Sequence, residues 1–247
     1  VRSLLWLQAI KTASIDKARG EKKQLIQAKG GELQALKKTH ERYADVFAKL
    51  GYPIDLTKHQ YPARKVMSAK TQDLIGLSSK KFIGVAPFAA HRGKVYPLQL
   101  IKQVIAQLNN TGDYVIFLFG GGASEIAQLD KLASDFKGVT NMAGKLSFSQ
   151  ELQLISNLDV MLAMDSGNGH LSALYDIPVV TIWGVTHPFL GFAPFNQPNE
   201  NQLLADRTKY PLVPTSVYGS TYPDGYEKAI ETISPSAIVE KVLSVLK

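Results

Sequence analysis

From Phe82 onward, short continuous apolar runs alternate with longer runs whose apolar residues recur every three or four positions. The short runs predict strands over Phe82–Ala86, Tyr114–Phe119, Val139–Met142, Val160–Met164 and Val179–Trp183. The periodic runs predict helices near Leu98–Asn109, Ser124–Phe136, Phe148–Asn157 and Asn168–Tyr175. Strands that are apolar throughout, rather than alternating with polar residues, belong to a parallel sheet covered on both faces. Strands alternating with helices point to the same α/β class. A loop-rich tract, Gly184–Asp224, follows. A closing helix is predicted over Pro235–Leu246, with Ser234 as its cap.

Before Phe82 the texture differs. Leu4, Leu5, Leu7 and Ile10 repeat at helical spacing, which predicts a helix to about Ala13 and a short extended stretch near Ser14–Ala18. A polar helix is expected from Glu32 to Leu50, stopped by Gly51. Pro53, Pro62 and the polar run Ser68–Lys81 read as a linker. The chain opens at Val1 inside a helical pattern, so it is expected to be a fragment; a targeting segment ahead of it stays an open alternative.

Composition narrows the chemistry. The chain has no cysteine, which excludes disulfides, thiolate metal sites and cysteine nucleophiles and fits a cytoplasmic setting. No apolar run is long enough to cross a bilayer. Residues 1–81 carry 17 Lys/Arg against 7 Asp/Glu, a net of +10, whereas residues 82–247 carry 11 against 14, a net of −3. Such asymmetry suggests a basic surface for an anionic partner, set against the plainer reading of a solvated helical face. The basic part lacks the aromatic and glycine patterning of RNA-binding modules, so nucleic acid is not the expected partner.

The densest chemical signal is Asp165-Ser166-Gly167-Asn168-Gly169-His170, at the junction of a strand and a helix. Asp165 would project from the strand's carboxyl end, Ser166 would cap the helix, and the glycines would let backbone amides approach an anion. The plainer reading is a capped turn. Three other segments end strands at the same edge: Ala86–Lys94, the turn Gly120–Glu125, and Gly184–Pro188. Lys94 can reach a diphosphate as a point charge. There is no HExxH, Walker lysine, GxSxG or Asp-x-Asp pair. A diphosphate would therefore have to be neutralised by amides, Lys94 and either His170 or Arg92, with no metal and no cofactor. His40 and His59 are given no role.

Asp165-Ser166-Gly167-x-x-His170, followed by the strand from Pro178 and Gly184-Val185-Thr186-His187-Pro188, resembles the signature of the ADP-heptose:lipopolysaccharide heptosyltransferases, glycosyltransferase family 9. The resemblance extends through Gly144-Lys145-Leu146-Ser147 and Gly120–Glu125 to Lys94-x-x-Pro97. It also takes in His40-x-Arg42-Tyr43 with Leu50-Gly51. It implies a GT-B fold: a Rossmann-like donor domain over residues 76–247, with residues 1–75 as the remainder of an acceptor-side Rossmann-like domain and linker. It further implies a metal-independent, inverting transferase on the cytoplasmic side, with a peripheral inner-membrane contact through the basic lobe as an option. ADP-heptose would be the donor and an anionic glycolipid of the lipopolysaccharide-core type the acceptor.

By position, the resemblance places Lys94 at the donor phosphates and Glu125 and Leu146 beside the nucleoside. Asp165, Ser166, Gly167 and His170 would surround the diphosphate and sugar. Ala89 and Ala90 stand where the family often has hydroxyls, and its general base would lie ahead of Val1, so the fragment is expected to bind donor but transfer little sugar. The alternatives are a GT-B transferase with another sugar nucleotide and a nucleotide- or sugar-binding module without turnover.

Overall fold

A computed structural model of the chain describes residues 11–28, 30–76 and 78–246. Six parallel strands form one sheet: β1 (Lys81–Ala86), β2 (Tyr114–Leu118), β3 (Val139–Asn141), β4 (Val160–Met164), β5 (Val179–Trp183) and β6 (Gln202–Leu204). Their order is β3-β2-β1-β4-β5-β6. The order reverses between β1 and β4, and in open α/β sheets ligands bind outside the strand carboxyl ends at such a point.

Eight α-helices lie among the described residues: α1 (Arg19–Gln27), α2 (Thr39–Leu50), α3 (Ala69–Ile75), α4 (Leu98–Asn109), α5 (Gly122–Ser134), α6 (Phe148–Ile155), α7 (Gly167–Ala173) and α8 (Pro235–Val245). The two faces of the sheet are built by strict alternation. Along β4, Val160, Leu162 and Met164 enter one core with residues of α4, α5 and α8. Met161 and Ala163 enter a second core with residues of α6 and α7. Helix α4 buries Ile101, Val104, Ile105 and Leu108 at helical spacing, so one stripe packs on the sheet. Beside it the fully buried Tyr96 donates its hydroxyl to the Ile233 carbonyl at 2.6 Å, and burial pushes its pKa up to about 12. Helix α8 starts as expected, with the Ser234 hydroxyl accepting from the Ala237 amide and proline in the first turn.

The N-terminal part differs from its sequence reading. The helix expected to Ala13 lies largely outside the described residues, and Lys11–Ala18 forms no regular element. The polar helix begins at Thr39, not Glu32: the Glu41 carboxylate caps the Lys38 amide at 2.6 Å and sets that start. Helix α1 was not foreseen. Its sequence RGEKKQLIQ is almost wholly polar, and of it only Leu25 and Lys22 are buried. The expected linker contains α3, started by the Ser68 hydroxyl accepting from the Thr71 amide. It is also fastened: the Ser68 amide and the buried Thr71 hydroxyl both donate to Gln153 Oε1 on α6. Strand β6, three residues at the sheet edge, was hidden in the loop-rich tract.

Candidate functional site

The carboxyl ends of β1, β4 and β5 bring Lys94, Asp165 and Thr186 together. Lys94 Nζ lies 3.1 Å from Asp165 Oδ2, with the two side chains only 12% and 10% exposed. The buried Thr186 hydroxyl donates to the same oxygen at 3.1 Å. Lys94 sits at the end of a 3-10 turn, Arg92–Lys94, and its position is fixed from behind by two loops. The Val185 amide donates to the Gly93 carbonyl at 3.0 Å, and a side chain at Gly184 would lie 2.3 Å from that oxygen. Gly219 has φ +80, and a Cβ there would meet Lys94 Cγ at 2.5 Å. Only glycine lets these backbones close around the lysine stem.

A cavity of about 380 Å³ opens beside this cluster. Phe88, Ala89 and Phe119 give it apolar walls, while Glu125, Glu151 and the start of α7 give it polar ones. Glu125 Oε2 accepts from the Gly121 amide at 2.8 Å, which folds the glycine turn onto the first turn of α5. Gly167 and Asn168 add first-turn backbone to the lining, where the helix end favours negative charge.

The other predicted residues fall differently. Ser166 occupies the backbone position that precedes α7, yet its hydroxyl makes no capping bond and is buried without a partner. The capping role expected of it is therefore not performed. His170 is exposed by area but its imidazole is crowded; that loss of solvation lowers its pKa, with the Lys94 charge adding to the effect and Asp165 opposing it. Leu146 packs against the core on the α6–α7 side and is not part of the cavity lining. Arg92 is exposed.

Three residues without an assigned role gain a setting. His40, on α2, is held below its ordinary pKa by burial and is within electrostatic reach of His170. Its ring stands edge-on to Phe195 at 5.0 Å, and His59 meets the same ring at 4.9 Å. Glu151 lines the cavity, half-buried, and burial raises its carboxyl above the usual range. No sequence motif marked it, and none marked Gly219, whose close approach to Lys94 spans 125 positions of chain.

No helix among the described residues is long and apolar enough to cross a membrane. No group of three or more His, Asp or Glu among them is arranged to hold a metal ion.

Comparison with known proteins adds the lineage. The family described as "Glycosyltransferase family 9 (heptosyltransferase)" matches residues 5–219. Lipooligosaccharide heptosyltransferase 2 of Campylobacter jejuni is 26% identical over 179 residues, 70% of this chain and 54% of that protein. Lipopolysaccharide heptosyltransferase 3 of Escherichia coli is 28% identical over 116 residues, 46% of this chain and 33% of that protein. The chain thus spans about half, or less, of the curated relatives it matches. The solved ADP-heptose heptosyltransferase II of E. coli superposes with a TM-score of 0.61 at 20% identity, over 86% of this chain and 62% of that one, so the GT-B-type fold is shared. With residues 5–219, most of its length, matched by the family, the chain belongs to glycosyltransferase family 9, the heptosyltransferase family.

Proposed function

We propose that this chain carries the donor-binding part of an inverting, metal-independent glycosyltransferase that moves a heptose from a nucleotide-diphosphate donor to a lipopolysaccharide-core acceptor. The observation that carries the reading is the Lys94–Asp165–Thr186 cluster beside an apolar-walled cavity at the β1/β4 switch point. A nucleoside fits between Phe88, Phe119 and the Glu125 turn, with the diphosphate reaching toward Lys94 and the first-turn amides of α7. Asp165, Ser166, Gly167 and His170 would face the diphosphate and sugar. ADP-heptose is favoured because the curated relatives are named heptosyltransferases and the solved E. coli protein is named for ADP-heptose.

In the reaction, an acceptor hydroxyl oxygen attacks the anomeric carbon as the bond to the diphosphate breaks. The electron pair leaves with the diphosphate, where Lys94 and the backbone amides offset its growing charge. The acceptor proton passes to a carboxylate base on the acceptor side of the cleft. Residues 1–75 would belong to that side, and residues 76–247 to the donor side. The exposed Lys17, Arg19 and Lys23 offer the anionic acceptor, and the inner membrane face, a complementary surface.

The test is calorimetric titration of ADP and UDP with magnesium and with a chelator present. ADP should bind more tightly than UDP, and the chelator should leave its affinity unchanged. Binding that required divalent metal would end the metal-independent assignment, and UDP preference would end the ADP-heptose assignment.

A further inference from the structure

Glu151 is the one residue at the cavity whose charge the protein leaves unsatisfied. It follows Gln150, whose side chain closes the capping box with Ser147 at the start of α6, accepting from the Ser147 amide at 3.0 Å. Glu151 is thereby free of the capping task. Among the described residues its carboxylate has no hydrogen bond and no ion pair, in contrast to Glu125, which holds the Gly121 amide. Burial raises its pKa and no neighbour offsets the rise, although a first-turn position ordinarily favours an anion. Half-burying a carboxylate without a donor is costly, and folding gains nothing from it here. The surroundings do not supply what is missing: Ala89 and Ala90 bring no hydroxyl to the lining, and the buried Ser166 hydroxyl is itself without a partner.

We propose that Glu151 is a specificity-determining residue for the donor, its carboxylate accepting a hydrogen bond from an O–H or N–H of the nucleoside held in this cavity. The inference rests on the nucleotide-binding reading above and adds to it the group that selects the nucleoside. Apolar walls with a partnerless acceptor reject a ligand that lacks the matching donor, because binding then covers the half-exposed acceptor and leaves it unpaired.

The experiment is calorimetry of the wild-type protein, Glu151→Ala and Glu151→Gln with ADP, 2′-deoxy-ADP, 3′-deoxy-ADP and inosine diphosphate, beside thermal melts of the free proteins. Glu151→Ala should lose about tenfold or more in ADP affinity. Glu151→Gln should lose less, since its amide oxygen still accepts, and neither free variant should melt below the wild type. A loss that disappears with a deoxy nucleotide assigns a ribose O–H, and one that disappears with inosine diphosphate assigns the adenine amine. Equal ADP affinity in all three proteins overturns this inference while leaving the nucleotide site standing. A parallel fall in melting temperature and affinity overturns it in favour of a structural role. Failure of the wild type to bind any of the nucleotides overturns both readings.

Discussion

Breaking the Lys94–Asp165 pair tests the electrostatics of the site from both ends. At 3.1 Å and an effective dielectric constant of ~20, the bare attraction of the two charges is about 5 kcal/mol. Taking both ions most of the way out of water offsets much of it, and a coupling of about 1–3 kcal/mol is expected in a double-mutant cycle. Lys94→Ala leaves Asp165 with Thr186 as its remaining side-chain donor. The expected loss is about 2–3 kcal/mol, a fall of roughly 5–10 °C in Tm for a chain of this size. Asp165→Asn keeps an acceptor for Lys94 and Thr186 and should cost about 1 kcal/mol. The double variant should lose less than the two single losses together.

Binding separates the two residues by sign. Lys94→Ala should weaken ADP by about 1.5–3 kcal/mol, the range for a charged hydrogen bond. Asp165→Asn should tighten ADP roughly threefold to tenfold, because it removes a negative charge that both competes for Lys94 and repels the diphosphate. Thermal melts give the stabilities and calorimetry the affinities. Stability losses that add to within about 0.5 kcal/mol would refute the coupling. Unchanged ADP affinity in Lys94→Ala would reduce the lysine to a counter-ion of Asp165.

Two further outcomes follow from the loops around the pair. His187 is buried, and burial with help from the Arg207 charge lowers its pKa to about 4. Its folded pKa lies below the unfolded value of about 6.5, so the unfolded chain takes up the proton first. Stability should therefore be complete above pH 6.5 and fall by up to about 3 kcal/mol toward pH 4, and His187→Asn should flatten that slope in pH-dependent melts; identical profiles would sink the assignment. Gly219→Ala forces a Cβ against the Lys94 stem at a positive φ, so it should cost about 1–3 kcal/mol and weaken ADP binding; a variant with wild-type affinity would show that Lys94 tolerates displacement.

Much of this arrangement was legible in the chain because it is carried by local pattern. Strands β4 and β5 and helix α4 begin and end where the sequence placed them, since continuous apolar runs and a clean helical stripe leave few alternatives. Helix α1 escaped because it buries little, and β6 escaped because three residues are too short to show a period. Lys94, Asp165 and Thr186 could be expected at one edge, as each follows a strand of a parallel sheet. The partnerless state of Glu151 and the pressure of Gly219 on Lys94 depend on neighbours distant in sequence, and no local signal encodes them.

The loop after β5 ties the charge cluster to the N-terminal helices. Within six residues it supplies Thr186 to Asp165 and the Gly191 carbonyl to Thr39, which donates both its amide at 2.8 Å and its hydroxyl at 2.9 Å at the start of α2. The Phe189 carbonyl between them takes the Leu36 amide at 2.9 Å. The loop's other end is pinned to the lysine turn through Val185 and Gly93, and the Thr215 amide closes on the Val185 carbonyl at 2.9 Å. Helix α2 also carries His40, whose pKa is lowered chiefly by burial, with a smaller contribution from His170. A displacement of α2 by an ångström therefore stretches bonds that lead within a few residues to Asp165 and Lys94. Those bonds hold the N-terminal segment to a short, largely buried loop with little slack, so the position of α2 and the geometry of the charge pair are set together.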